Sequence, residues 1–246
     1  MKIGRTVLWV TLAAYLVCLH LIVVLALTRT NFLPLAYKSL GYWQAPPEWE
    51  DFPIQAVLEH AERDQRVPNG AIVLLGDSIM GGVPAESVGP NAVNFGLGGD
   101  TTYLLLRRLP MLRSIERAGA VVIEVGVNDL KYRAPAEAAA FYGDILRRIP
   151  ASTPVVALSV LPVDETKPVI ARRSDLRNAN IAALNDAIRA ACQHRPNCRY
   201  LDLWPLAWDA SRGAPRSEWF GPDGWHLSAA GGERMAAWIR NTLGVR

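Results

Sequence analysis

Five residues of this chain have the types that acyl transfer requires: Ser78, Gly99, Asn128, Asp223 and His226. A serine hydroxyl is a weak nucleophile until a neighbouring base takes its proton, and a neutral imidazole is the usual base. An aspartate that accepts the other ring N–H fixes the tautomer and stabilises the imidazolium. Asp223 and His226 stand three apart in Gly221-Pro222-Asp223-Gly224-Trp225-His226-Leu227-Ser228. The oxyanion formed when a hydroxyl adds to a carbonyl needs preorganised donors, each worth about 10²–10³ in rate. A loop glycine offers an unobstructed backbone N–H, an asparagine amide a second donor, and the N–H of Ser78 a third.

These residues need a scaffold that brings distant loops to one edge. Residues 71–75, Ala-Ile-Val-Leu-Leu, form an apolar run that reads as a strand buried on both faces. The run stops at Gly76-Asp77-Ser78, residues typical of turns. Taken alone, Ser78 there could be an ordinary helix cap. A second strand over 92–95 runs into Gly96-Leu97-Gly98-Gly99, and a third over 120–125 ends at Gly126-Val127-Asn128-Asp129. Strands four and five are expected over 154–161 and 199–203. Helical patterns cover 54–66, 104–115 (interrupted near Pro110), 135–149 and 175–193. A last helix is capped by Ser228 and runs to about 243. Alternating strands and helices imply an open, mostly parallel five-stranded sheet covered on both faces. The expectation is a three-layer α/β/α, flavodoxin-like fold with strand order 2-1-3-4-5, whose ligands bind beyond the strand ends. Position 101 is Thr, so Gly96-Leu97-Gly98 does not open a dinucleotide loop, and no P-loop is present.

Four blocks in order resemble those of the SGNH (GDSL-type) hydrolases: Gly76-Asp77-Ser78-Ile79, Gly99 before Asp100-Thr101, Gly126-Val127-Asn128-Asp129, and Asp223-Gly224-Trp225-His226. The stretch from Asn94 to Thr102 is similar to the catalytic subunits of platelet-activating-factor acetylhydrolase. The resemblance covers roughly residues 70–243. It implies Ser78 as nucleophile, Gly99 and Asn128 as oxyanion donors, His226 as general base and then acid, and Asp223 as its orienting partner. Gly99 rather than Gly98 is the donor because in this family that glycine directly precedes Asp-Thr. Isoleucine at position 79 replaces the family's leucine and keeps an apolar anchor. The implied enzyme is an esterase or acetylhydrolase that needs no cofactor and no metal. An O-acyltransferase acting on a cell-envelope glycan would use the same residues. A non-catalytic binding module on this fold is the third reading, and the intact residue set speaks against it. Substrates in view are a small ester, a lipid or an acetylated glycan.

Other residues have plainer readings. Asp77 and Asp129 should brace loops through backbone N–H groups. Glu124, inside a buried strand, reads as a perturbed acid or, in preference, as a hydrogen-bonded structural carboxylate. His60 and His194 should be exposed, and Asn180 and Asn185 should support structure. The pairs Arg107-Arg108 and Arg147-Arg148 read as solvated faces, leaving Arg172-Arg173 as the basic pair to consider near a substrate. Trp204, Trp208, Trp219, Phe220 and Trp225 crowd the approach to His226, as core or as cleft lining. If the domain is exported, Cys192 and Cys198 could form a small-loop disulfide where geometry allows it; the alternative is two unpaired thiols.

Residues 6–28 carry no formal charge. At about 1.5 Å per residue they can cross a hydrocarbon core of about 30 Å. The run is longer than the apolar region of a cleaved signal peptide, so an anchor over residues 1–30 is expected. The short basic tail before it favours an N-terminus in the cytoplasm and a domain outside or in the periplasm. His20, alone in the span, reads as a packing or interfacial residue. Residues 31–66 are expected to be a linker and entry segment, with Gly41-Tyr42-Trp43-Gln44-Ala45-Pro46-Pro47 on a surface, and the hydrolase domain over 67–246. The net charge of +3 over 246 residues, with no Lys/Arg stripe, excludes a nucleic-acid-binding protein. Oligomeric state is not legible.

Overall fold

A computed structural model describes residues 2–29, 48 and 53–245. The chain divides into two compact units, Met1–Glu50 and Asp51–Arg246. In the first, helix α1 spans Lys2–Arg29, and its stretch Val7–Val24 is apolar, exposed and long enough to cross a membrane. Its polar side chains bond their own helix: Thr11 Oγ1 donates to the Val7 carbonyl at 2.9 Å, and His20 Nδ1 meets the Leu16 carbonyl at 2.7 Å. The Gly41–Pro47 stretch lies outside the described residues.

The second unit is built on one parallel sheet. Its strands are β1 (Ile72–Gly76), β2 (Ala92–Gly96), β3 (Ala120–Glu124), β4 (Val155–Leu158) and β5 (Cys198–Leu201), in the order β2-β1-β3-β4-β5. Every pairing is parallel, with Gly76 of β1 flanked by Gly96 and Glu124. The order is the expected 2-1-3-4-5. The central strands are uninterrupted apolar runs because both their faces are covered. On one face lie α4 (Thr102–Arg108), α5 (Pro135–Arg148) and α6 (Asn178–Gln193), packing Leu105, Tyr142, Ile145, Ile181 and Leu184 against Val73, Leu75, Val121 and Ile123. On the other lie α3 (Ser78–Gly81) and α7 (Ala229–Leu243), packing Ile79, Met80, Met235 and Ile239 against Leu74 and Val122.

Several boundaries move for local reasons. The helix expected over 104–115 ends at Arg108 and gives way to tight turns at Leu109–Met111 and Arg113–Arg117, since Pro110 has no N–H to donate. Helix α6 starts at Asn178, whose N–H donates to Glu165 while its side chain bonds both backbone groups of Val163. A two-stranded ribbon, Trp208–Asp209 with Ala214–Pro215, was not anticipated. Cys192 and Cys198 are disulfide-bonded, tying the end of α6 to the start of β5.

The entry segment differs most from expectation. Helix α2 (Ile54–Asp64) is part of the second unit rather than a linker. Its buried Asp64 accepts hydrogen bonds from the backbone and hydroxyl of Ser114, and Arg63 lies over the Phe95 ring and donates to the Asn94 carbonyl. His60 is half-buried, not exposed. It meets Phe95 edge-on, and burial together with Arg108 and Arg63 pushes its pKa down to about 4. An amphipathic helix finds its apolar partner only once β2 exists.

Candidate active site

Ser78 begins the turn that follows β1. The turn starts abruptly because Asp77 caps it, accepting the Ile79 N–H at 2.8 Å. Gly76 permits the approach: a Cβ there would lie 1.9 Å from the Glu124 carbonyl oxygen. Ser78 therefore stands half-buried at the carboxyl edge of the sheet.

The Asp223–His226 loop arrives from the other end of the chain. It is pinned by a bridge between Phe220 and Leu227 and by the Gly221 N–H donating to the His226 carbonyl at 2.8 Å. Asp223 Oδ1 accepts the backbone N–H groups of Trp225 and His226, each at 3.0 Å. That leaves Oδ2 for His226 Nδ1 at 2.7 Å, while His226 Nε2 lies 3.0 Å from Ser78 Oγ. Burial alone would raise the Asp223 carboxyl. The His226 ring and the two backbone N–H groups outweigh it and hold the group below the ordinary carboxylate range. An ionised Asp223 only accepts, so the Nδ1 proton is assigned to that bond and Nε2 is free to accept from the hydroxyl. Such an arrangement can move a proton from serine to imidazole. Trp225 stacks on the imidazole with ring centroids 5.0 Å apart, and the Arg173 guanidinium lies over the indole, 5.1 Å from its centroid. Of the basic pairs, Arg172-Arg173 is thus the one beside these residues. Trp219 and Phe220 are core.

Gly99 adopts a left-handed backbone (φ 78°), and nothing lies within 4 Å of the place a Cβ would occupy. Among the described residues, neither the Gly99 nor the Ser78 backbone N–H reaches a protein acceptor. Asn128 spends one amide hydrogen on the Asp100 carbonyl at 3.0 Å, which orients the side chain and leaves the other hydrogen available.

Two buried ion pairs lace these loops together. Asp129 accepts from the Thr102 backbone at 2.7 Å and hydroxyl at 2.6 Å, and it pairs with Arg133. Asp77 and Asp129 both brace loops through backbone N–H groups, as read from sequence. Arg108 does not lie on a solvated face as expected. It is 3% exposed, pairs with Asp100 at 2.7 Å, and donates to the carbonyls of Gly76 at 3.3 Å and Phe95 at 2.8 Å. It thereby ties the strand ends before Ser78 and Gly99 to the residue that Asn128 grips. The signal was present: Arg108 continues the buried stripe Leu104, Leu105 at helical spacing, eight residues after Asp100. Arg107 and Arg147 are exposed as expected, and so is His194. Asn185 bonds both backbone groups of Val160, a supporting role.

Glu124 departs from expectation more sharply. It is fully buried, and neither carboxyl oxygen has a hydrogen-bond partner. Of the two readings of Glu124 the structure favours the perturbed acid: burial, then Asp77, raises its pKa well above the usual range against the opposing Met80 N–H. Among the described residues no three His, Cys, Asp or Glu side chains converge as metal ligands.

Residues 74–234 match the family model described as GDSL-like lipase/acylhydrolase. The chain belongs to that family. It is accordingly an ester-hydrolysing enzyme on the SGNH α/β fold, with small esters or lipids as its class of substrate. No curated protein matches the chain. Among solved structures it is similar to one from Streptococcus pneumonia whose description names platelet activating factor, at 24% identity and TM-score 0.70, over 85% of this chain and 99% of that one. A GDSL-like lipase from Bacteroides thetaiotaomicron matches at 20% and 0.62, over 76% and 97%. A carbohydrate esterase family 3 structure from Talaromyces cellulolyticus matches at 18% and 0.53, over 70% and 96%. At these identities the likeness is one of fold.

Proposed function

We propose that this GDSL-like hydrolase is a membrane-anchored serine esterase that works through an acyl-enzyme on Ser78. The observation that carries the reading is the continuous hydrogen-bonded chain Asp223–His226–Ser78. Ser78 Oγ attacks the ester carbonyl carbon and passes its proton to His226 Nε2. The oxyanion is held by the N–H groups of Ser78 and Gly99 and by the Asn128 amide. As the intermediate collapses, His226 returns the proton to the leaving alkoxide. A water then gives a proton to His226 as it attacks the acyl carbonyl, and His226 passes that proton to Ser78 Oγ as the acid is released. Asp223 stays ionised throughout and stabilises the imidazolium.

Helix α1 serves in this reading as the anchor, with residues 6–28 in the bilayer and the hydrolase unit, which includes α2, outside the cytoplasm. The Cys192–Cys198 disulfide supports an oxidising compartment. The half-exposed Ser78 and His226 suit an ester presented at a lipid surface or on an envelope polymer, with short acyl chains preferred. Turnover of p-nitrophenyl acetate and labelling by a fluorophosphonate probe are expected for the full chain in detergent, and both should vanish in Ser78→Ala. Undiminished turnover in a folded Ser78→Ala protein would overturn the assignment.

A further inference from the structure

Four carboxyls are buried beneath the strand ends that carry Ser78, Gly99 and Asn128: Asp77, Asp100, Glu124 and Asp129, each with no exposed surface. Two have counter-charges, Asp100 in Arg108 and Asp129 in Arg133. The other two have none among the described residues. Asp77 uses one oxygen to cap the Ser78 turn, and neither its Oδ2 nor either oxygen of Glu124 makes a well-formed hydrogen bond, although the Gly126 N–H faces Asp77 and the Met80 N–H faces Glu124. They belong to adjacent chain positions across the sheet: Gly76 pairs in register with Glu124, and the Asp77 N–H donates to the Glu124 carbonyl at 3.4 Å. An unpaired carboxylate taken out of water is costly enough that the group binds a proton instead. Two such carboxylates side by side would also repel each other, and they lie directly under the donors that must stabilise an oxyanion.

We propose that Asp77 and Glu124 form a protonated carboxyl pair under the nucleophile turn, and that loss of its first proton sets the alkaline limit of ester hydrolysis. The inference rests on the Ser78 reading above. Both residues act as positioning residues; neither touches substrate. The charged groups that face them are consistent with proton retention. Burial, helped by Asp100 and Asp129 and opposed by the Ile79 and Gly126 N–H groups, pushes Asp77 up to about 8. Glu124 is raised by burial and then by Asp77, and it in turn raises Tyr142, which is buried as well. Arg108 donates to the Gly76 carbonyl, but its charge is already engaged by Asp100. When the first proton leaves, a fixed negative charge appears below the Ser78 N–H. It opposes the negative charge that grows on the substrate oxygen, and the fall in rate is expected to be at least about tenfold.

The test is the pH profile of the full chain, read from about pH 5 to about pH 10 and corrected for uncatalysed hydrolysis. Wild type should lose kcat above about pH 8. Glu124→Gln mimics the protonated acid, so it should move that fall upward by about one pH unit or more. Asp77→Asn, which keeps an oxygen for the Ile79 N–H, should do the same. A fall that stays in place in both variants, or a wild-type rate that does not fall, would overturn the proposal. So would failure of both amides to fold, because a protonated pair tolerates its amide mimic. Infrared titration supplies a reading independent of activity. The C=O band of a protonated carboxyl should persist at neutral pH in wild type and in Ser78→Ala, and should lose intensity in Glu124→Gln. Its presence in Ser78→Ala with turnover intact would sink the nucleophile assignment while sparing the pair; its absence would sink the pair alone.

Discussion

The Asp223–His226 loop and the floor under Ser78, Gly99 and Asn128 meet at one hydrogen bond, yet they are held by different means. The catalytic side chains of the loop are held locally, while its Gly224 carbonyl also accepts the Asp164 N–H at 2.9 Å. Asp223 bonds the backbone two and three residues on, and His226 takes the remaining oxygen. The Asp223 and His226 side chains keep 40% and 46% of their exposure, so water screens their charges. The floor is held at long range. Besides their nearby ion-pair partners, Arg108 and Asp129 reach buried residues 13 to 32 positions away along the chain. The difference separates the two jobs of the site. Proton transfer needs a ring that can change charge, which half-exposed surroundings tolerate. Oxyanion binding needs donors that do not move, which buried ion pairs enforce.

Breaking the loop should cost rate and little stability. His226→Ala is expected to lower kcat by about 10⁴-fold, with an urea midpoint close to wild type. A large loss of stability would mean the loop is part of the core after all. Breaking the floor should do the reverse. Arg108→Met leaves Asp100 buried without its cation and should cost about 3–5 kcal/mol in urea unfolding. The sign with pH follows from Asp100, which burial pushes up to about 6 even with Arg108 present. Without the cation it holds its proton to higher pH, while the unfolded carboxyl releases its own near the ordinary value. Stability of the variant should therefore fall further as pH rises through and above about 6, and melts near pH 5 should show a smaller deficit than melts near pH 8.

Smaller effects sharpen the boundary between the two regions. Asn128→Ala removes a donor and should lower kcat by about 10²–10³-fold with KM nearly unchanged; a pure KM effect would place Asn128 in ground-state binding. Replacing Cys192 and Cys198 by serine opens a small loop remote from both regions. It should cost about 2 kcal/mol of stability and leave kcat within about twofold. The least effect is expected at the stack beside the imidazole: Arg173→Gln removes a contact worth about 0.5–1 kcal/mol and should change kcat/KM by less than about tenfold. A greater loss with one class of anionic ester would make Arg173 a substrate contact.

Much of this site was readable before any coordinates, because its chemistry is written in short blocks. Asp-x-x-His needs only three residues, an Asp-Ser turn after five apolar residues marks a strand end, and alternation of strands and helices implies the sheet order. Those are consequences of local geometry: the period of a strand, the reach of a side chain to its own backbone, the breaking of a helix at proline. Sequence by itself thus determined the fold, the residues brought to the sheet edge and the apolar span at the N-terminus. The tertiary structure decided what no local pattern contains. It turned Arg108 from a solvated residue into the tie between three loops, left Glu124 with no partner, drew His60 and α2 onto Phe95, and joined Cys192 to Cys198. Burial is a property of the packed whole, and the energy of a charge depends on its surroundings more than on its neighbours in the chain. The same arginine or glutamate is ordinary at a surface and decisive under an oxyanion.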